Sequence, residues 1–417
     1  MISERTCRRC LYSTSHPLGL VIDGDGVCSG CRIHEEKDRL DWKERWRRLE
    51  RLVASYRSSS GAHDCIIPVS GTPESYFIVD TVKRRLGLNP LLVHYNRYFN
   101  TPVGIWNLAN LRIRFDCDLV SQNINPRVVR RICASTLRQF GSVYWHCIAG
   151  TTVFPVQTAV RTGIPLIIWG AHQGLEQVGM FSHEHEVEMT RRHRKDHDLM
   201  GLEADDLLST FDTLTADDIW QYRYPDDSAL HRVGVRGIYL GNYLRWDPRS
   251  QNESMVRQYG CRSAGVSGSF DPFEHIDCFV YMGVHDALKL AKCGYSRVTD
   301  HACREIRHGR LGRAAARSLV LERESRLLGE IPHFRQFCDW LGVTTGSLEL
   351  LIDLHRSRRH WLQAGPRSFR FHGVSSRDSG PLAAHAEVLA YEGGYAPTHP
   401  LGLGDGDRYV VVGKGHP

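Results

Sequence analysis

The middle of the chain alternates short apolar runs with amphipathic periods. Residues 65–69 (Cys-Ile-Ile-Pro-Val) form an apolar run that predicts a buried strand, closed by Ser70, Gly71 and Thr72. From Ser75 to Leu86 the apolar positions Tyr76, Val79, Val82 and Leu86 recur on one helical face. A second strand is expected over residues 90–96 and a short helix over 107–111. A third strand is expected within 112–120, and helices over 126–140 and 151–162. Residues 165–170 predict a fourth, fully apolar strand. Apolar strands separated by amphipathic helices imply an α/β fold, with a parallel sheet covered on both faces. Ligands of such sheets bind beyond the carboxyl ends of the strands. That rule gathers residues 70–75, His94 to Asn96 and Gly170 to His172 at one rim.

Outside this unit the pattern is mostly helical. Trp42, Trp46, Leu49, Leu52 and Val53 mark one long amphipathic helix over 35–56, and Ser58 to Gly61 read as a linker. The acidic pairs Asp205/Asp206 and Asp217/Asp218 suit helix N-termini. Residues 314–362 read as helical, with Thr345 or Ser347 as a cap. After Gly365, Gly, Pro and Ser become frequent; only 383–388 predicts a helical fragment and 409–412 a short strand. The expected divisions are 1–34, a cysteine knuckle; 35–60, a linker helix; 61–260, the sheet domain; 261–364, a helical region; and 365–417, an irregular tail.

Composition narrows the class. With 417 residues and 41% hydrophobic content, a sizeable core needs no disulfide support. The formal charge of +6 is modest over this length and does not demand a nucleic acid. No apolar run reaches membrane-spanning length. Thirteen cysteines, scattered and odd in number, point to a reducing compartment and a cytoplasmic location. Cysteines and charges from Glu4 onward do not read as a targeting segment.

Cys7 and Cys10, then Cys28 and Cys31, form two tight pairs joined by a hairpin with a turn at Gly24 to Gly26. Two such pairs suit a tetrahedral zinc ion, and four sulfur ligands leave no open position, so the expected role is structural. A redox pair is the alternative. Residues 172–197 hold five histidines, His172, His183, His185, His193 and His197. A polar excursion over the rim and a second metal site are both compatible with them. Arg297, Arg304, Arg307 and Arg310 form a candidate anion surface; for Arg307 a structural ion pair with Asp300 or the helix carrying Glu305 is the equal alternative. The strand–turn–helix corner at 70–75 aims backbone N–H groups at one point, where the phosphates of a nucleotide would sit.

These features occur in an order that resembles the N-acetyl sugar amidotransferase family, ATP-pyrophosphatase-type ligases on a HUP-like fold. The resemblance spans about residues 5–360. It rests on the four knuckle cysteines, Asp41-Trp42, the strand ending at Gly170, Gly237-Ile-Tyr-Leu-Gly-Asn-Tyr243 with Trp246-Asp247, and Lys292-Cys-Gly-Tyr-Ser-Arg297 through Thr299-Asp-His-Ala302, Ile306-Arg307 and Gly309-Arg310. It implies an enzyme that uses ATP and Mg2+ to adenylate an amide or carbonyl oxygen of a small molecule. Ammonia from a glutaminase partner then displaces AMP, turning an acetamido into an acetamidino group in surface-polysaccharide biosynthesis. A closed site would keep water from the activated species. The implied nucleotide contacts are Ser70, Gly71, Thr72, Ser75, Asn96 and Gly170; the candidate catalytic residues are Glu74, Cys147, Lys292 and Arg297.

The phosphate loop departs from the family's Ser-Gly-Gly-Lys-Asp-Ser. Thr72 replaces a glycine, so a turn with positive φ would be strained there. Pro73 replaces the lysine and removes a cation and a backbone donor, though proline suits a helix start. Glu74 replaces aspartate. Arg97, Lys289, Lys292 and Arg297 are the candidate substitutes for the lost cation. Around Cys147 the family often shows two cysteines and this chain has one; a buried structural thiol is the alternative to a catalytic one. Three readings stay open: a ligase, a relative that has lost the chemistry and binds substrate or a partner, and a zinc-containing RNA-modifying relative. The lack of a dense basic module counts against the third. The acceptor and the oligomeric state, including a homo-oligomer, are left undecided.

Overall fold

The computed structural model describes residues 4–278, 280–365, 368–373, 381–385 and 388. Its centre is a five-stranded parallel sheet of β1 (Cys65–Pro68), β2 (Pro90–Tyr95), β3 (Leu119–Gln122), β4 (Leu166–Trp169) and β5 (Arg236–Tyr239), in the order β3-β2-β1-β4-β5. β1 pairs with β2 from Cys65↔Pro90 and with β4 from Cys65↔Leu166. The chain leaves β1 for one side and returns through β4 on the other, so the strand order reverses at β1/β4. Open sheets of this kind present their ligand crevice at such a reversal.

Alternation decides which residues face which layer. Cys65 and Ile67 pack with Leu49, Val53, Tyr76, Val79 and Met255 on one face. Ile66 packs with Leu91, Val93, Phe154 and Ile167 on the other. The first face is covered by α2 (Trp42–Ala54), α3 (Pro73–Asp80) and the helix Pro248–Tyr259. The second is covered by α6 (Trp145–Thr162). The expected face of Tyr76, Val79, Val82 and Leu86 is buried, although α3 gives way to a π-helical turn at Thr81–Arg85.

Several boundaries differ from those expected. The single helix over 35–56 is two: α1 (Ser29–Glu36) and α2, with the Asp41 carboxylate accepting from the N–H groups of Lys43 and Glu44 at the restart. Residues 107–111 lie inside a longer helix, α4 (Pro102–Phe115), which also absorbs Arg112 to Phe115. The third strand therefore starts only at Leu119. The helix α5 (Pro126–Phe140) matches its expected range, and α6 begins six residues before Thr151. The C-terminal helices run Val280–Cys293, Arg297–Arg307, Arg313–Gly329, Phe334–Leu341 and Thr345–Leu354. Thr344, not Thr345 or Ser347, caps the last of these by accepting from the Ser347 N–H. A small antiparallel hairpin, Trp361–Gly365 with Ser368–Phe371, follows. The strand expected at 409–412 and part of the fragment expected at 383–388 lie outside the described residues. Among the described residues no helix is long and apolar enough to cross a membrane.

Candidate functional site

The corner after β1 is held from three directions. The Ser70 N–H donates to Ser75 Oγ at 2.9 Å, and the Ser70 and Thr72 hydroxyls share a hydrogen bond of 2.9 Å. Asn107 of α4, fully buried, donates from Nδ2 to the carbonyls of Gly71 and Arg262, each at 2.9 Å, and accepts from the Arg262 N–H at 2.7 Å. Gly71 lies so close to Gly104 that a Cβ would strike the Gly104 backbone, and Gly104 lies equally close to Asp277. The loop, α4 and the segment around Asp277 are thus stacked with no room for side chains between them.

Thr72 corrects the expectation of strain. Its φ is −105° and its ψ 154°, extended backbone that threonine adopts freely. The corner turns here because Pro73 starts α3 with a φ already suited to a helix, so no left-handed residue is needed. Glu74 follows and reaches across to β4: a Cβ placed on Gly170 would lie 2.6 Å from Glu74 Oε1. Burial pushes the Glu74 carboxyl up to about 7, aided by Glu274, Asp271 and Glu176 and opposed by Arg304.

Those neighbours form a charged cluster at the rim. Arg304 pairs with Asp271 and Glu274, and its Nε lies 3.3 Å from Glu305 Oε1. His301 bonds to Ser269 Oγ at 2.5 Å and to Glu274 Oε2 at 2.9 Å. Arg310 joins Glu305 at 2.7 Å to Asp247 at 2.8 Å. Asp271, Glu274 and His301 have ligand atoms within 4.8 Å of one another, a set that could hold a cation.

None of the four expected substitutes for the missing lysine is the cation that acts most strongly on Glu74. Arg97 is paired with Asp277 and donates to Tyr144 Oη at 2.7 Å. Lys289 is paired with Asp300. Lys292 donates to the carbonyls of Phe140, at 3.2 Å, and Gly141, at 2.8 Å, closing the end of α5; it is a helix-capping residue. Arg297 donates to Asp286 at 3.0 Å and borders a cavity of about 30 Å³ with Gly268, His275 and Cys278. Arg304 is instead the cation whose charge acts on the Glu74 carboxyl. A signal for it was present: acids at 271 and 274 and bases at 301 and 304 share one three-residue step, which suits two facing pairs.

The other expected residues fall as follows. Asn96 is fully buried; it donates to Asn123 Oδ1 at 2.6 Å and accepts from the Tyr98 N–H at 3.0 Å, bracing the turn after β2. Cys147 sits in the core beside His146 and near Cys133 and Cys278. Burial pushes its thiol well above the ordinary range, which opposes nucleophilic use. The histidine-rich segment gathers His172, His197 and Asp198. His172 Nδ1 accepts from the Gly174 N–H at 2.9 Å, placing its ring proton on Nε2, and His197 Nδ1 bonds to Asp198 at 2.7 Å. His172 is thereby a poor neutral metal ligand, and the excursion packs over the rim at the end of β4.

The cysteine quartet comes together as expected. Cys7, Cys10, Cys28 and Cys31 are buried, with sulfurs within 4.8 Å of one another and no disulfide. Backbone N–H groups of Arg9, Cys10 and Cys28 point at Cys7 Sγ at 3.4, 3.5 and 3.3 Å. Hydrogen bonding from Cys10 and Cys31 lowers the Cys28 thiol to about 7. Four converging sulfurs with N–H···S support fit a tetrahedral metal ion such as zinc.

Residues 264–371 match the family described as LPS biosynthesis protein WbpG-like, C-terminal domain. That stretch carries Asp271, Glu274, His301 and Arg304, one side of the rim. A segment of 117 residues, 28% of the chain, is 21% identical to the uncharacterized protein MJ1599 of Methanocaldococcus jannaschii and spans 42% of that relative's length.

Proposed function

We propose that the protein is an ATP-dependent ligase of the amidotransferase type, which adenylates an amide or carbonyl oxygen of a small molecule used in surface-polysaccharide synthesis. The observation that carries this reading is the strand-to-helix corner at the β1/β4 reversal, faced by a charged cluster from the segment similar to an LPS-biosynthesis domain. The polyphosphate of ATP would lie along Ser70, Gly71, Thr72 and Ser75, with Asn96 and Gly170 bordering the nucleotide. Glu74, Asp271 and Glu274 would hold Mg2+, whose charge offsets the phosphates. Arg304, whose charge already acts on Glu74, would take the role of the family's lysine. ATP supplies the leaving group that an amide oxygen lacks, and the rim residues orient it and exclude water. Nitrogen would arrive as ammonia from a glutaminase partner in the cytoplasm, and the cysteine quartet would hold zinc in a structural role.

A second reading, a binding subunit without ATP chemistry, is favoured by two observations: Arg304 already has carboxylate partners, and the Ser70 N–H is already taken by Ser75. Calorimetry with MgATP separates the two. Under the ligase reading MgATP binds, raises the melting temperature, and gives pyrophosphate when N-acetyl sugar nucleotides and ammonium chloride are added. No heat and no thermal shift would leave the subunit reading.

A further inference from the structure

We propose that Arg307 is a positioning residue that couples the cysteine quartet to the rim. It ends the helix Arg297–Arg307 and divides its guanidinium between two structures. Nη2 donates to Cys28 Sγ at 3.8 Å. Nη1 donates to the carbonyls of Glu176 at 3.1 Å and Gln177 at 2.7 Å. The group also lies 5.4 Å from the centre of the Tyr12 ring. Neither the ion pair with Asp300 nor one with Glu305 forms; those acids are taken by Tyr12 and Lys289, and by Arg304 and Arg310.

The segment Arg307 holds is part of the site. The turn Gly174–Val178 begins two residues after His172, at the end of β4. Glu176 is one of the acids that raise the Glu74 carboxyl. Two further contacts fasten the same turn to the knuckle side: Ser29 Oγ donates to the Val178 carbonyl at 2.8 Å, and Lys37 Nζ donates to Glu176 Oε2 at 2.5 Å and to the Trp246 carbonyl at 3.1 Å. Gly179 closes the turn with φ +70° and its Cα against the Ser29 backbone. Ser29 and Lys37 reach the turn from α1 and its end. Arg307 alone among the three touches a sulfur ligand.

The charge of the quartet makes that contact depend on metal. Four thiolates around a divalent ion carry a net charge of −2, and an N–H from a guanidinium to such a sulfur is charge-assisted. With neutral thiols the same contact is weak. Metal loading therefore tightens Arg307 at one end, and its other two hydrogen bonds pass that constraint to the backbone of 176 and 177. Outer contacts of this kind typically change metal affinity about 10–100-fold when removed.

The inference rests on the metal reading of the quartet, and the two fail differently. The full-length protein is loaded with Co2+ alone, and wild type is compared with Arg307→Met and Arg307→Lys. A wild-type protein that shows no thiolate-to-cobalt band sinks the metal reading itself. With the band present, Arg307→Met is expected to shift it, weaken cobalt binding about 10–100-fold, and raise amide exchange at 174–179 at least tenfold, with β2 unchanged. Arg307→Lys restores the charge but not the fork and should fall between. An unshifted band with unchanged exchange at 174–179 in Arg307→Met overturns the role. If that variant does not fold, chelation of the wild-type protein decides: exchange at 174–179 should rise ahead of β2, and equal rates before and after chelation overturn it.

Discussion

Burial, with Glu274, Asp271 and Glu176 nearby, pushes the Glu74 carboxyl up to about 7 against an ordinary 4.5. The folded protein therefore binds this proton more tightly than the unfolded chain does. The stability this group contributes is complete below the unfolded value and is lost as pH rises through the folded one, from about 4.5 to about 7. Glu74→Gln keeps the size and removes the titration. Urea unfolding at pH 5 and pH 8 should show wild type and variant alike at the lower pH. At the higher pH the variant should gain about 2 kcal/mol, a figure reduced from the full shift because the side chain is only half-buried. Bound Mg2+ would favour the ionised form, so the gain should shrink when MgCl2 and ATP are present. An equal effect of the substitution at both pH values would show that Glu74 is an ordinary surface acid.

The corner at 70–75 keeps its shape through α4 more than through its own residues. Asn107 satisfies the buried Gly71 carbonyl and the half-buried carbonyl and N–H of Arg262 with a single amide, none of which a smaller side chain can reach. Asn107→Ala should cost about 3 kcal/mol by leaving those groups unpaired, measured by denaturant unfolding. It should also weaken MgATP binding, because Gly71 is then free to move. β1, β2, β4 and α5 were legible because each is a run with one period and a proline or glycine at its edge. β3 was not. Residues 111–120 hold apolar positions that fit the end of one helix and the start of a strand, and only packing of Leu111 and Phe115 against Tyr76 and Tyr259 decides where the helix stops. β5 passed as a signature because Gly237 interrupts its apolar pattern. The rim cation was hidden for a related reason. Arg97, Lys289 and Lys292 are engaged by partners distant in sequence or on a neighbouring helix, and Arg297 gives Nη2 to Asp286 on the neighbouring helix while its Nε and Nη1 stay without a partner among the described residues; the pattern of charges along a chain carries no record of such pairing.

Across the whole molecule the knuckle is no appendage. Cys7, Cys10, Leu11 and Tyr12 share one apolar cluster with Val298, Ala302, Ala316 and Leu319, almost the length of the described chain away. Polar contacts follow the same path. Tyr12 Oη donates to Asp300 at 2.6 Å, the Leu11 N–H points at Cys303 Sγ at 3.4 Å, and Arg313 donates to the carbonyls of Cys10 and Cys7 at 3.2 and 3.3 Å. Loss of the metal would leave four buried thiols that no longer fix the hairpin, and the helices resting on it would lose their apolar partner. A metal held by the folded quartet would contribute by mass action, up to about 4 kcal/mol at a free zinc concentration a thousand times the dissociation constant, and less to the extent that the unfolded thiols also bind it. Chelation should therefore lower the melting temperature of the chain as one transition, with amide exchange rising in the helices Arg297–Arg307 and Arg313–Gly329 as well as in residues 7–31. A knuckle that melts alone, while those two helices keep their protection, would mean that the shared cluster does not couple them. The N-terminal cysteines would then serve some purpose other than holding the rim's Arg304 and Arg307 in place.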